Sequence, residues 1–243
     1  IELQLSGYEN IPGGYTQEDF VRYCKLFDEA ELVDIIQIRA WSGDMTHASS
    51  YNCKKDYPTN LHFAELLKQE RLHALVAPVG GFQDPDLIER FLAEGRTDLV
   101  AMGRAFICDP DYGKKLYEGR GEDVIACLRC DKCHSGICAV NPAIGIQPSL
   151  LNQDTPAQSA PKKVAVIGGG PAGLKAAAEC AALGHRVTLY EKESFLGGQA
   201  HHADFMPDKW CMMDYKNSLI HACQKNGVQL LTGTAATPQM ILD

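Results

Sequence analysis

Four times in its first 120 residues the sequence runs an apolar stretch into a helical pattern. "IELQLS" (1–6) leads to a helix after Thr16 that puts Phe20, Tyr23, Cys24 and Phe27 on one face. "VDIIQI" (33–38) leads to a helix capped by Asn60, "HALVAPVG" (73–80) to "DPDLIERFLAEG", and "DLVAMGR" (98–104) to "DPDYGKKLYEG". In the last two, Asp84 and Asp109 read as N-caps. Pro85 and Pro110 take the first helical position, where a missing N–H costs nothing, and Gly95 and Gly119 close the ends. Strands this apolar fit a parallel sheet buried on both faces. Repeated βα units make a doubly wound sheet or a (β/α)8 barrel. Four units are half a barrel and would leave two apolar edges open. The sequence, starting on Ile1 in mid-strand, therefore reads as an internal fragment whose earlier strands are missing.

A second unit follows a connector rich in Pro, Gln, Ser and Asn, "NPAIGIQPSLLNQDTPAQSAPKK" (141–163). "KKVAVIGGGPAGLKAAAECAALGHRVTLYEKES" predicts a strand (164–167), a glycine turn, a helix (171–183) and a strand (186–190). Within that context Gly168, Gly170 and Gly173 form a dinucleotide fingerprint, with Pro171 and Ala172 in the first helical turn. Gly168 permits the tight turn, Gly170 lets backbone approach a pyrophosphate, and Gly173 lets helix and strand pack closely. The helix N-terminus favours phosphate charge. Glu191, followed by Lys192, ends the second strand, where a carboxylate accepts hydrogen bonds from a ribose 2′-OH and repels a 2′-phosphate. These features do not separate FAD from NAD. The tail "VQLLTGTAATPQMILD" adds one strand and looks cut.

Between the two units, "CLRCDKCHSGICAVNP" (127–142) places Cys127, Cys130, Cys133 and Cys138 in a C-x2-C-x2-C-x4-C spacing. Zinc sites usually pair two C-x2-C knuckles across a dozen or more residues. A compact run of three cysteines suits an iron–sulfur cubane, which takes three ligands from one loop. Zinc stays open, with His134 as a ligand only if the chain folds back sharply after Cys133, and so do unmetallated core cysteines. Cys24, Cys53, Cys108, Cys180, Cys211 and Cys223 are scattered and read as small buried hydrophobes. With 45% hydrophobic residues the chain needs no disulfide framework, and a reduced compartment fits this cysteine usage. The net charge of −8 disfavours non-specific nucleic-acid binding, and no apolar run is long enough to cross a membrane.

The order of these parts resembles the flavin/iron–sulfur branch of the old yellow enzyme superfamily. That branch includes 2,4-dienoyl-CoA reductase, enoate reductases and trimethylamine dehydrogenase. The resemblance spans essentially the whole chain, from a half barrel through a cysteine loop ending "CAVNP" to "VAVIGGGPAG…EK…LGGQ". It implies an α/β fold: the second half of an FMN-binding TIM barrel (1–120), an iron–sulfur loop (121–142), a linker (143–162) and the start of a Rossmann-like FAD or dinucleotide domain (163–243). It implies FMN, a [4Fe–4S] cluster and FAD, with electrons passing from NAD(P)H through FAD and the cluster to FMN and on to an activated C=C bond of an unsaturated carbonyl or acyl-CoA. A cytoplasmic location and a homo-oligomer of the complete protein fit that picture.

Residue by residue, "MGRAFICDPD" resembles the segment where glycine and arginine hold the FMN phosphate, so Gly103 and Arg104 carry over. The plain alternative for Arg104 is an ordinary surface ion pair. "VAPVGGF" matches the preceding strand end, where Gly80 and Gly81 admit phosphate to backbone N–H groups. "LGGQ" supplies Gly197, Gly198 and Gln199 and favours FAD. Some positions depart from the family. Gln4 stands where many relatives place an arginine beside the flavin, as does Gly81 in its own segment. Gln4 can hydrogen-bond a flavin carbonyl but brings no charge. The histidine of a proton relay after "VDIIQI" has no clear match; Asp44 and His47 of "AWSGDMTH" are the nearby candidates, a solvated loop histidine being the plain alternative for His47. The family's catalytic tyrosine would lie outside this sequence. Two rival readings stand beside C=C reduction: an amine dehydrogenase using the same cofactors, and a non-catalytic electron-transfer module.

Overall fold

The computed structural model describes residues 1–9, 11–39, 55–56, 58–146, 160–203 and 205–242. Asp44, His47 and Cys53 lie outside the described residues. The first unit opens with β1 (Glu2–Ser6), α1 (Gln17–Glu29), β2 (Ile35–Arg39), α2 (Leu61–Gln69), β3 (Leu75–Pro78) and α3 (Pro85–Ala93). Its strands are parallel in the order β1-β2-β3, with Gln4 opposite Gln37 and Ile38 opposite Pro78. The βα repeat is thus present, as the spacing of the apolar runs implies.

Local chemistry sets the boundaries. Thr16 and Asp19 form a capping box on α1. Asp84 accepts from the Leu87 amide at 3.1 Å with Pro85 at the first helical position, as expected for α3. Gly95 (φ +67°) and Gly119 (φ +70°) take the left-handed conformation after their helices.

Other expectations need correction. The fourth strand shrinks to a single bridge between Val79 and Ala101. The Leu99 amide donates to Val76 O and the Ala101 amide to Pro78 O, each at 3.0 Å, but Pro78 has no N–H to return a bond to Leu99, so no regular ladder forms. Two short helices follow, α4 (Arg104–Cys108) and α5 (Tyr112–Tyr117). Asp109 does not cap α5, whose N-cap is Asp111. Its carboxylate, buried, accepts from the Ile125 amide at 2.8 Å and from Lys115 Nζ at 2.6 Å. Asn60 sits at the N-cap of α2 but its side-chain oxygen makes no cap bond; its Nδ2 donates to the Val79 carbonyl. Tyr23 is exposed although Phe20 and Cys24 on the same helix are fully buried.

The sheet is not apolar on both faces either. Ile36 and Ile38 pack against Phe20, Cys24, Phe63 and Leu67 of α1 and α2, forming the first core. Burial of each large apolar side chain contributes about 1.5–3 kcal/mol. The opposite face carries a polar ladder: Gln4 donates to Gln37, and Gln37 donates to Glu2 at 2.5 Å.

The second unit contains β4 (Lys163–Ile167), α6 (Pro171–Ala182), β5 (Arg186–Tyr190), α7 (Gln199–Ala203), α8 (Trp210–Lys225), β6 (Gln229–Leu231) and α9 (Pro238–Leu242). Its sheet is parallel in the order β4-β5-β6. Leu174 and Ala177 of α6, Leu189 of β5 and Tyr215, Leu219 and Cys223 of α8 form its core. The cysteine segment lays Ile125, Ala126, Leu128 and Val140 on that core, so it is clamped to the second unit. Lys55 adds a polar tie, bonding Asp84 at 3.0 Å and Asp214 of α8 at 2.9 Å. Cys24, Cys108, Cys211 and Cys223 are buried as small hydrophobes should be, while Cys180 is half-buried. Among the described residues no helix is long and apolar enough to cross a membrane.

Candidate functional site: a flavin-type cleft beside a cysteine loop

The C-terminal ends of the first unit's strands open into a cleft of about 380 Å³. Five residues singled out from the sequence meet there: Gln4 from β1, Gly80 and Gly81 after β3, and Gly103 and Arg104 at the start of α4. The carboxyl ends of parallel strands are where α/β folds place ligands. Gly80 (φ +117°) and Gly81 (φ +94°) adopt backbone conformations that side-chain-bearing residues avoid, so the turn that faces the cleft depends on glycine. A Cβ on Gly103 would meet no atom within 4 Å, so its side toward the cleft is open.

The lining is electrostatically one-sided. Arg39, Arg104 and Arg129 contribute to it, and among the described residues no Asp or Glu does, although the chain as a whole carries a net charge of −8. Among the described residues, Asn60 Oδ1 and Gln83 Nε2 at the cleft are buried polar atoms without a hydrogen-bond partner. Unpaired buried polar groups cost roughly 1–3 kcal/mol each, so an acceptor and a donor stand ready for a polar ligand. One hydrogen of the Gln4 amide is committed to Gln37, which leaves the other. A bound anion with hydroxyl groups, such as a flavin ribityl phosphate, fits this donor set.

The cysteine loop forms the cleft's far wall, where Cys127 and Cys133 line it. Left-handed residues Arg129 (φ +55°), Asp131 (φ +57°) and Gly136 (φ +75°) curl the loop. Backbone amides point at two sulfurs: Arg129 N donates to Cys127 Sγ at 3.3 Å, and Val140 N and Asn141 N donate to Cys138 Sγ at 3.4 and 3.3 Å. Such bonds stabilise thiolate charge. The Cys108 thiol, which donates to the Ile125 carbonyl at 3.6 Å, neighbours the Cys127 sulfur. Together with the Arg129 amide and the Arg104 and Arg129 guanidiniums it holds Cys127 below the ordinary thiol range against the opposing effect of burial. The same contact, with burial, pushes Cys108 far above that range. Asn141 Nδ2 donates to Ile107 O at 2.8 Å, tying the loop's end to α4. Among the described residues no three His, Cys, Asp or Glu side chains close to single-ion distance. His134 sits in a short turn at the cleft's edge. Thiolates met by amide donors are the ligand chemistry of an iron–sulfur cluster, and the loop fits that group.

Arg104 turns out to be paired. Its guanidinium bonds Asp131, so one residue of the phosphate-type segment grips the cysteine loop directly. The ion-pair alternative weighed for Arg104 is therefore part of its role, with the side chain still at the cleft.

In the second unit the glycines divide as expected. Gly168 is left-handed (φ +100°). A Cβ on Gly173 would lie 1.9 Å from Gly168 O, whereas one on Gly170 would meet nothing within 4 Å. Pro171 and Ala172 open α6 at this turn. Gly197 N donates to Gly169 O at 2.8 Å and a Cβ on Gly198 would come within 3.1 Å of Gly170 Cα, so "LGGQ" packs onto the turn, with Gln199 exposed beyond it. Glu191 is buried and faces inward. Its carboxylate accepts from Glu193 N at 2.9 Å and Gly169 N at 2.7 Å, which hold it below the usual carboxyl range. A carboxylate has about four acceptor sites, so capacity for ribose hydroxyls remains. Lys192 is exposed, 3.8 Å from Glu193.

Two family profiles match separate segments of the chain. The profile of the NADH:flavin oxidoreductase / NADH oxidase family matches residues 4–123, and that of an NAD(P)-binding Rossmann-like domain matches residues 166–231. The chain belongs to the NADH:flavin oxidoreductase family, the old yellow enzyme and 2,4-dienoyl-CoA reductase-like group. A family relative, the NADH oxidase of Thermoanaerobacter brockii, is 32% identical over 250 residues, covering 99% of this chain and 38% of that protein. An N,N-dimethylglycine/sarcosine dehydrogenase of Chromohalobacter salexigens is 31% identical over 211 residues, or 82% of this chain and 30% of that one. The solved 2-naphthoyl-CoA reductase superposes with a TM-score of 0.82 at 29% identity, covering 98% of this chain and 37% of its own. The chain thus spans under two-fifths of these proteins.

Within that family frame, Asn60, Gln83 and Arg129 are cleft residues that sequence reasoning missed. Asn60 reads from sequence as a helix cap, and Gln83 carries no motif. Arg129 is hidden between two cysteines, though a charged residue inside a metal-type loop was a usable signal.

Proposed function

We propose that this chain provides the flavin phosphate site, the cysteine loop and the dinucleotide turn of an enzyme that uses NAD(P)H to reduce an activated C=C bond in an unsaturated carbonyl or acyl-CoA substrate. The observation that carries the reading is a cleft lined, among the described residues, by Arg39, Arg104 and Arg129 and by no carboxylate, and walled on one side by Cys127 and Cys133. When bound, FMN, a [4Fe–4S] cluster and FAD would supply the electron carriers between a nicotinamide nucleotide and the substrate.

This chain's residues would do the holding. Arg104, Gly103 and the Gly80–Gly81 turn would bind the flavin phosphate, with Asn60 and Gln83 giving the ribityl chain an acceptor and a donor. Cys127, Cys130, Cys133 and Cys138 would ligate the cluster. Gly170 would admit a pyrophosphate to the start of α6, and Glu191 would meet the ribose, with Gly198 and Gln199 beside it and Lys192 outermost. The packing of Ile125, Leu128 and Val140 on the second core anchors the base of the cysteine loop, while its tip at Ile137 stays exposed. The active-site proton would come from Asp44, His47 or a group outside this sequence.

Anaerobic turnover of the holoenzyme with NADH or NADPH and an enone, an enoate or an aromatic enoyl-CoA tests the proposal. Nicotinamide oxidation matched by saturation of the C=C bond is expected. Amine oxidation with no enone reduction would favour the amine dehydrogenase reading, and FMN binding without turnover of either class would favour an electron-transfer module.

A further inference from the structure

Glu2, Gln37 and Gln4 form a hydrogen-bonded chain whose direction is set at one end. Glu2 and Gln4 are two residues apart on β1, and Gln37 lies opposite Gln4 on β2, so strand alternation puts all three side chains on one face. A carboxylate only accepts hydrogen bonds, whereas an amide has a donating end and an accepting end. Gln37 therefore turns its Nε2 to Glu2 Oε1, at 2.5 Å, and keeps its Oε1 for Gln4, whose Nε2 donates to it. The Gln4 amide is left with its oxygen and its second Nε2 hydrogen. Among the described residues Gln4 Oε1 has no partner. With the chain reversed, Gln4 would have two N–H donors left and no acceptor. Gln4 lines the cleft, on β1, while Gly80, Gly81, Gly103 and Arg104 line it from the end of β3 onward. Three strand spacings separate β1 from the fourth strand, roughly 14 Å. A flavin with its phosphate at the glycine turn would therefore carry its ring towards β1.

We infer that Glu2 and Gln37 are positioning residues that hold the Gln4 amide with its oxygen free for the imide N–H of a bound flavin ring. The inference rests on the flavin reading given above. An oxidised flavin ring carries one N–H, at N3, between two carbonyls, and its other polar atoms are acceptors. The Gln4 oxygen would take that hydrogen, and the second Nε2 hydrogen would meet an adjacent carbonyl. A reversed amide could bond only the carbonyls. Glu2 thus acts on the ring through two amides without touching it.

The test is a titration of the complete protein, freed of flavin, with FMN and with N3-methyl FMN, which has no imide N–H. The bulk of the methyl group is common to every variant, so the quantity read is the preference for FMN, the ratio of the two dissociation constants. In Q4L that preference is expected to fall about threefold to tenfold from wild type, the worth of one neutral hydrogen bond. E2K puts a donor where the acceptor stood, which reverses the chain, and its preference should fall as far as that of Q4L. E2Q leaves the direction free and should lie between Q4L and wild type. Equal preferences in wild type and Q4L, or a wild-type preference in E2K, overturn the inference. A wild-type protein that binds neither flavin overturns the flavin reading itself, and this inference with it.

Discussion

Arg104→Ala is expected to empty the cleft of FMN while leaving the second unit's nucleotide site working. Loss of one charge-assisted phosphate contact costs about 1.5–3 kcal/mol, roughly a tenfold to hundredfold drop in affinity. Substrate reduction should stop. Reduction of an artificial dye by a nicotinamide nucleotide should survive, because that half-reaction would use only residues 163–242. Arg104 also bonds Asp131 in the cysteine loop, so the variant removes two interactions at once. Asp131→Asn separates them: it deletes the ion pair and keeps the guanidinium, and it should retain FMN. Glu191→Ala should do the reverse of Arg104→Ala, slowing dye reduction and leaving FMN in the cleft. FMN and FAD contents of the three variants, with dye reduction rates, decide the matter. An Arg104→Ala protein that loses FAD and keeps FMN would overturn the assignment of two separate flavin sites.

Gly173→Ala should be strongly damaging. Its added Cβ would fall 1.9 Å from the Gly168 carbonyl oxygen, a backbone atom at the turn itself, so β4 and α6 must separate. Overpacking of this kind costs about 1–3 kcal/mol or more, and here it also distorts the turn a pyrophosphate would enter. The second unit should melt at a clearly lower temperature and purify without FAD. Gly170→Ala offers the contrast. Its Cβ would point into open space, so the fold should be kept and only nucleotide affinity should fall. Equal melting curves and equal FAD contents for the two variants would contradict this account of the glycines.

Legibility of the sequence followed the locality of the forces. The Asp84 cap, the Gly95 and Gly119 stops and the glycine turn of residues 168–173 were readable because each depends on a few neighbouring residues. The convergence of Gln4, Gly80, Gly81, Gly103 and Arg104 on one cleft was reached through the family resemblance; periodicity alone does not bring Gln4 within reach of residues a hundred positions away. Features set by tertiary contacts were missed. Asp109 looks like a cap but spends its carboxylate on Ile125 and Lys115. The fourth strand is apolar in sequence, yet Pro78 on β3 has no N–H to bond back to it. The polar ladder of Glu2, Gln4 and Gln37 contradicts a sheet buried on both faces, and those three residues were visible in the sequence all along. Helix α8 carries Cys211, Tyr215, Leu219 and Cys223 every fourth position on its buried face, a helical spacing legible in the sequence.

The central claim is that this chain brings a flavin phosphate site and an iron–sulfur loop together at one cleft. Metal, sulfide and flavin analysis of the anaerobically purified holoenzyme tests it most directly. The account predicts iron and acid-labile sulfide in equal amounts together with FMN, and a broad absorbance near ~400 nm beneath the flavin bands, as expected of iron–thiolate clusters. It predicts loss of that absorbance, with FMN retained, when Cys130 is replaced by alanine. Stoichiometric zinc with no iron or sulfide, or a cluster in a protein whose cleft binds no flavin, would contradict it.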